Sequence, residues 1–305
     1  MIEFHIPTVE DRIWAQACLD ADSRQACEYS FTNLMCWGLS YQQQIGRKDG
    51  FLLARFQTPI GPAYLWPAGS GDEKAVIEAL LADAHAHQVP LRLAAATPED
   101  IEKIEGWFPG RFRAFSDPAN TDYCYDVEKM CTLAGKKLHG KRNHIHRFLE
   151  NHEGNWDFSP MTAADLPECL AVAADWRRLS LERGVETDLQ SMAAEEAALD
   201  LTFRHFDELG VEGGVLRVGG KVIGFTVASR ITDEICDVHF EKSYGDIQGA
   251  YPMVAREFAR QLRERHPELR WLNRENDLGL EGLRKAKRSY YPDLMIEKYT
   301  LTELL

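Results

Sequence analysis

At 305 residues the chain exceeds an ordinary single domain, and length alone favours two domains of about 150 residues each. An apolar share of 45% and a charged share of 27% are those of a globular protein, and no window approaches the roughly 18 consecutive apolar residues of a membrane span. The net charge of −13 argues against sequence-independent binding to long nucleic acids, which proceeds by neutralising phosphates.

In chain order, apolar periodicity predicts helices over 9–19 and 31–37, strands over 42–47, 50–56 and 63–66, a helix over 73–87, a strand over 91–95, a helix over 98–107 and a strand over 122–127. A bridge follows over 130–154, its helical pattern interrupted by Gly135, Gly140 and Gly154. This bridge is a basic island in an acidic chain, with Lys136, Lys137, Lys141, Arg142 and Arg147, and a second island, RKAKR, lies at 284–288. Helices over 163–178 and 189–209 then precede a hairpin, 215–218 and 221–231, turned by Gly219-Gly220, and a third strand over 234–242. An amphipathic helix over 251–265 carries Met253, Val254, Phe258 and Leu262 on one face; a strand over 269–273, a helix over 278–287 and a strand over 294–301 complete the chain. The halves read as two copies of one fold, with domains at 1–130 and 155–305 joined by a linker helix at 131–154.

The corner DVHFEKSYGDIQGAYP, 237–252, joins the third strand of the second half to its amphipathic helix. Strict alternation along that strand puts His239 and Glu241 on one face and Lys242 on the other. The corner packs a histidine, acids, a lysine, two tyrosines and two glycines between strand and helix, residue types suited to proton transfer and anion binding. Glu241 is the first candidate general base, with His239 beside it. Asp277 is a further candidate and also an N-cap for the helix predicted from 278. His139, His144 and His146 are spaced around a helix with no cysteine or carboxylate to complete a set, so no metal is expected. The start MIEFHIPTVEDRIW has no signal-peptide pattern, and seven cysteines without a CxxC pair fit reduced thiols, so the expected location is the cytoplasm.

Two helices before an antiparallel meander, then strand, loop, helix, strand, helix and strand, is the element order of the GNAT acyltransferase fold. It is an α+β class in which each domain is a mixed, mostly antiparallel sheet flanked by helices. EYSFTNLMCWG (28–38), GKKLHGKRNHIHRF (135–148), HFEK with QGAY (239–242, 248–251) and LNRENDLGLEGLRKAKRSYYP (272–292) carry a more specific likeness. On these stretches the chain resembles the bacterial proteins that share the C-terminal domain of aminoacyl-phosphatidylglycerol synthases (phosphatidylglycerol lysyltransferase C-terminal-like), a tandem-GNAT arrangement akin to the Fem peptidyltransferases. The resemblance implies transfer of an acyl or aminoacyl group, from coenzyme A or aminoacyl-tRNA, to an amine or hydroxyl of a small-molecule or peptide acceptor.

It also implies site residues. The loop after the fourth strand, with Tyr244, Gly245, Gln248, Gly249, Ala250 and Tyr251, would hold the anionic carrier together with Asn273 at the end of the fifth strand. Tyr290 stands where GNAT enzymes present a phenol to the leaving group. Lys137, Lys141, Arg142 and Lys287 would face an anion, and Asn33 and Trp37 would line the acceptor cleft. Coenzyme A binders carry Gln or Arg where GDIQGA has Gly245, and the integral membrane segment of the lipid-modifying synthases is absent. The alternative is therefore a catalytically degenerate, GNAT-like ligand-binding or regulatory module.

Overall fold

The structure is a computed structural model that describes residues 2–38, 40–182 and 189–304. The chain forms two compact units: Met1–Asp122 with Asn276–Arg284 and Met295–Leu305, and Tyr123–Glu275 with Lys285–Leu294.

The first unit begins its sheet with β1 (Gln44–Lys48), β2 (Phe51–Thr58), β3 (Gly61–Leu65), β4 (Ala68–Gly69), β5 (Arg92–Ala96) and β6 (Phe112–Ser116). Its helix Glu73–Ala86 starts where Asp72 accepts the Ala75 N–H, and it buries Val76, Ile77, Leu80, Leu81 and Ala84 as one stripe. That stripe packs with Tyr64 of β3 and Leu93 of β5 and with Trp66 and Leu91, which adjoin those strands. β3 and β5 run parallel, paired at Tyr64↔Leu93 and Leu65↔Ala94. Just past this pairing the Tyr29 hydroxyl sits between the carbonyl oxygens of Trp66, 3.1 Å, and Ala95, 3.3 Å, and fills the place where these strands end.

The second sheet takes β7 (Asp122–Asp126), β8 (Trp156–Pro160), β9 (Glu212–Val218), β10 (Lys221–Arg230), β11 (Ile235–Ser243), β12 (Trp271–Asn273) and β13 (Leu294–Ile296), in the spatial order β13-β7-β12-β11-β10-β9-β8. The helix Ala250–Arg265 covers it with Met253, Val254, Phe258 and Leu262, the face its periodicity predicts. The chain then returns to the first sheet as β14 (Tyr299–Glu303), between β5 and β6.

This path differs from the sequence expectation in two strands. β7 lies in the first half of the sequence but pairs with β12, and β14 ends the second half but pairs with β5 and β6. The segment expected as a separate linker is part of the second unit: Met130, Cys131, Leu133, Leu138, Ile145 and Phe148 are buried in its core. The helix there is His139–Asn151, and the helix predicted from 278 begins at Glu281. β6 and β8 were not predicted, because most of their residues are exposed or half-buried and show no apolar period. No helix among the described residues is long and apolar enough to cross a membrane.

Lys298, just before β14, anchors the returning strand. Its ammonium is buried and donates to Asp122 Oδ1 at 2.7 Å and Glu28 Oε1 at 2.6 Å, while Asp122 Oδ2 accepts the Cys27 N–H at 2.9 Å. Burial works against the charge, but Cys27, Glu28 and Asp122 outweigh it and hold the Lys298 pKa well above its ordinary value.

Candidate functional site

β11 and β12 are parallel neighbours only over Ile235↔Trp271, Cys236↔Leu272 and Asp237↔Asn273. β11 then continues to Ser243, whereas β12 stops: Asn273 Oδ1 accepts the Glu275 N–H at 2.8 Å, and Glu275 turns through a left-handed φ of 58°. The two strands therefore part at Asp237.

Along its other edge β11 carries a bulge. Its pairing with β10 runs Thr226↔Glu241 and Val227↔Phe240, then shifts to Ala228↔Val238 and Ser229↔Asp237, so His239 is an extra residue on β11. Directly opposed residues share a face and β10 alternates regularly, so Thr226 and Ser229 point to opposite faces. Glu241 follows the first, and Asp237 with His239 the second. This corrects the sequence reading that put His239 and Glu241 together, because one inserted residue reverses the alternation between them.

On the Glu241 face, Arg274 Nη2 donates to Glu241 Oε1 at 2.7 Å, with 17% and 11% of the two side chains exposed. The guanidinium lies 5.1 Å from the Tyr290 ring centroid and 5.7 Å from that of Tyr125, and the Lys141 ammonium lies 3.9 Å from Tyr290. Burial opposes the Arg274 charge, but Glu241, Tyr125 and Tyr290 outweigh it and raise its pKa. Burial lifts the Tyr290 hydroxyl well above its ordinary range and Tyr251 to about 12. Burial, then Arg274, push Lys141 down to about 8 against the pull of Glu241. This cluster gathers an acid, two cations and phenols in one place and joins the predicted Glu241, Lys141 and Tyr290. Arg274 and Tyr125 are additions. Arg274 stands inside the LNREND run, whereas nothing local places Tyr125 here, since its strand reaches this sheet only through the exchange with β14.

Lys141 also gives a testable pH effect. Its folded pKa of about 8 lies below the ordinary lysine value of about 10.4, so between them the unfolded chain holds a proton that the folded chain releases. Stability from this group therefore rises with pH across that window, and at pH 7 the folded protein carries the cost of a buried charge. Lys141→Met is expected to raise the melting temperature at pH 7, with a gain that shrinks as pH climbs from about 8 towards 10. Melting curves across that range check it. A variant less stable at pH 7 would mean that the ring contact outweighs desolvation.

On the opposite face His239 is buried, its Nε2 2.7 Å from Ser229 Oγ. Its Nδ1 lies 3.4 Å from Asp237 Oδ2 and 3.7 Å from Glu275 Oε1. Lys242, also on this face, is buried over the Trp176 ring at 3.5 Å and paired with Glu195 at 2.8 Å, and burial lowers its pKa.

The other predicted residues have identifiable partners. Gly249 has φ of 86°, and a Cβ there would meet the His144 carbonyl oxygen at 2.2 Å, so the close approach the glycine permits is to the protein's own helix. The Ala250 amide, fully buried, donates to Ile247 O, and the Ile247 amide to Tyr244 O, which commits part of the loop's backbone internally. The Tyr244 hydroxyl donates to Asp175 at 3.0 Å; Gly245 and Gln248 are exposed.

Asp277 is fully buried, accepting from Gly279 N–H at 2.9 Å and from Arg284 through both carboxylate oxygens, at 2.7 and 3.0 Å. These contacts hold the turn before the helix, which starts at Glu281, so Asp277 does not take the predicted N-cap position. Lys287 donates to the main-chain carbonyls of Arg274 and Glu275 and so clamps the turn after β12. Arg142 donates to the carbonyls of Leu133 and Gly135, while exposed Lys137 lies 5.3 Å from the Tyr291 ring. Asn33 and Trp37 belong to the first unit, where Asn33 Nδ2 donates to Cys27 O at 2.8 Å and Trp37 packs against Tyr41.

Residues 22–302 match the family described as phosphatidylglycerol lysyltransferase, C-terminal. A conserved protein of unknown function from Bacteroides thetaiotaomicron VPI-5482 has 36% identity and a TM-score of 0.91, covering 100% of both chains. The C-terminal domain of a putative lysylphosphatidylglycerol synthetase from Agrobacterium fabrum shares the fold at 14% identity, with a TM-score of 0.66 over 96% of this chain and 91% of that one. An uncharacterised protein of Mycoplasmoides gallisepticum is 25% identical over 214 residues, which are 68% of this chain and 65% of that relative's length. The architecture is that of tandem GNAT-like domains, each a mixed sheet flanked by helices.

Proposed function

Because the chain belongs to the phosphatidylglycerol lysyltransferase C-terminal family, we propose that its second unit moves an aminoacyl group from an anionic carrier to an amine or hydroxyl acceptor by direct attack. The observation that carries this reading is the Glu241–Arg274 pair beside the point where β11 and β12 part. Glu241 takes the proton of the attacking group, whose electron pair adds to the carrier's ester carbonyl. Arg274 and Lys141 are cations beside that carboxylate and stabilise the oxyanion that forms, in a place screened from water by Tyr125 and Tyr290. The departing oxygen of the carrier takes up a proton as the carbonyl re-forms.

Two observations set the emphasis within this reading. Tyr29 fills the end of the parallel strand pair in the first unit, which favours the second unit as the reacting copy. The internal hydrogen bonds of Ala250 and Ile247, and the helix over Gly249, favour an aminoacyl ester over a coenzyme A pyrophosphate as the donor.

Mass spectrometry of products after incubation with a set of aminoacyl-tRNAs, or with acetyl-coenzyme A, and an extract of small amines, peptides and lipids tests the proposal. The expected result is an acceptor heavier by one aminoacyl group, formed only with charged tRNA. An acetylated product would move the donor to coenzyme A, and saturable ligand binding without any product would favour the binding module.

A further inference from the structure

β6 is the outermost strand of the first unit's sheet, and among the described residues it pairs with β14 alone. We infer that its open edge binds the same edge of a second copy of this chain, the two β6 strands running antiparallel about a two-fold axis at Ala114.

The pairing with β14 decides which backbone groups face outwards. Opposed residues are Phe112↔Glu303, Arg113↔Thr302, Ala114↔Leu301, Phe115↔Thr300 and Ser116↔Tyr299. One step further along, the Leu304 N–H donates to Arg111 O at 2.8 Å, which makes Arg111 a hydrogen-bonded position, and such positions recur at every second residue. Arg113 and Phe115 therefore turn their N–H and C=O groups towards β14, whereas those of Phe112, Ala114 and Ser116 point out from the edge. The Glu303 N–H has the matching phase, since it donates to Leu91 O on the other side of β14.

The side chains follow the same alternation. Leu301 is buried in the core, so Ala114 opposite it, with Phe112 and Ser116, faces the core side, and Arg113 and Phe115 stand together on the other face. Phe115 is 65% exposed. Folded chains ordinarily blunt a free strand edge with charge, proline or shortness, and the other edges of the two sheets are closed in such ways. His5 exchanges both backbone bonds with Ile45 on the outer side of β1, β8 ends in Pro160, and β13 has three residues.

The sequence of β6 selects a second copy as the occupant, because the strand complements itself. With the axis at Ala114, that residue meets its own copy and Phe112 meets Ser116, and each such pair exchanges two backbone hydrogen bonds. No other register within β6 pairs all three outward residues. The intervening pairs set Arg113 of each copy opposite Phe115 of the other, all on one face and at the closer, non-hydrogen-bonded spacing, where a guanidinium is attracted to an aromatic ring. A two-fold contact uses up the edge of each copy, so assembly stops at a dimer.

The experiment follows full-length protein by analytical ultracentrifugation and native mass spectrometry over a dilution series. The expected result is a reversible monomer–dimer equilibrium, with amide exchange in 112–116 slowing as concentration rises. Phe115→Arg sets guanidinium against guanidinium, and Ala114→Pro removes an outward N–H while leaving the bonds to β14 in place; each is expected to weaken dimerisation by more than about tenfold. Phe115→Arg combined with Arg113→Phe re-forms the opposed pairs with the residues exchanged, and this double variant is expected to dimerise within about threefold of the wild type. Phe115 is exposed, so its substitution keeps the test available if Ala114→Pro fails to fold. A wild-type chain that stays monomeric to about 0.1 mM overturns the inference, as does a dimer that Phe115→Arg leaves unweakened or a double variant no tighter than Phe115→Arg alone. Failure of the transfer assay leaves this outcome unaffected, because the readout is association.

Discussion

Glu241→Gln is expected to slow aminoacyl transfer by about 10²–10⁴-fold at saturating donor, the range a positioned general base contributes. The substitution keeps the shape of the side chain and an oxygen for Arg274 to donate to, so the cluster of Arg274, Tyr125, Tyr290 and Lys141 stays assembled. What it removes is the group that accepts a proton. Stability responds in a different proportion. Deleting one partner of a buried ion pair outright costs about 3–5 kcal/mol, because the other charge is left without compensation. Glu241→Ala should approach that loss, while Glu241→Gln should show a smaller one and keep a cooperative melt. Turnover and unfolding measured side by side separate the roles. Turnover within threefold of the wild type in Glu241→Gln would remove Glu241 as the base; a parallel collapse of stability in both variants would make it a structural partner of Arg274.

Lys298→Met is expected to destabilise the protein by about 3–5 kcal/mol in urea unfolding, the largest stability effect among the substitutions considered. Only 4% of the Lys298 side chain is exposed and Asp122 is fully buried, so removing the ammonium leaves a carboxylate in the core facing Glu28 and the Cys27 thiol. The position adds to the effect. Asp122 is where the chain first leaves the first unit and Lys298 follows its last return, so their ion pair ties the returning strand to the point of departure. Replacing Asp122 by asparagine in the same chain should recover part of the loss, since an amide needs no counter-charge and still accepts the Cys27 N–H. The pH dependence follows from the raised pKa of Lys298: this contribution is fully present below the unfolded value of about 10.4 and is lost as pH rises through the higher folded value. A loss under about 1 kcal/mol would mean that Asp122 takes up a proton at little cost.

Most of the elements and their order, though not β6 and β8, are legible in the residues alone. The helix Ala250–Arg265, the helix Glu73–Ala86 and the hairpin of β9 and β10 are legible because each buries one face, and the period of that burial is written in neighbouring residues. The sequence also brought Glu241, Lys141 and Tyr290 forward, through residue chemistry and family resemblance. Tertiary structure decided which partners each element has. The exchange of β7 and β14 depends on pairing between segments far apart in the chain, which no local period encodes. The separation of His239 from Glu241 depends on one inserted residue against β10, and an alternating sequence cannot reveal where such an insertion falls. Asp277 and Gly249 show the same limit: a buried acid and a left-handed glycine look alike in sequence whether they serve a ligand or the protein's own turn and helix, and only the positions of Arg284 and His144 distinguish them.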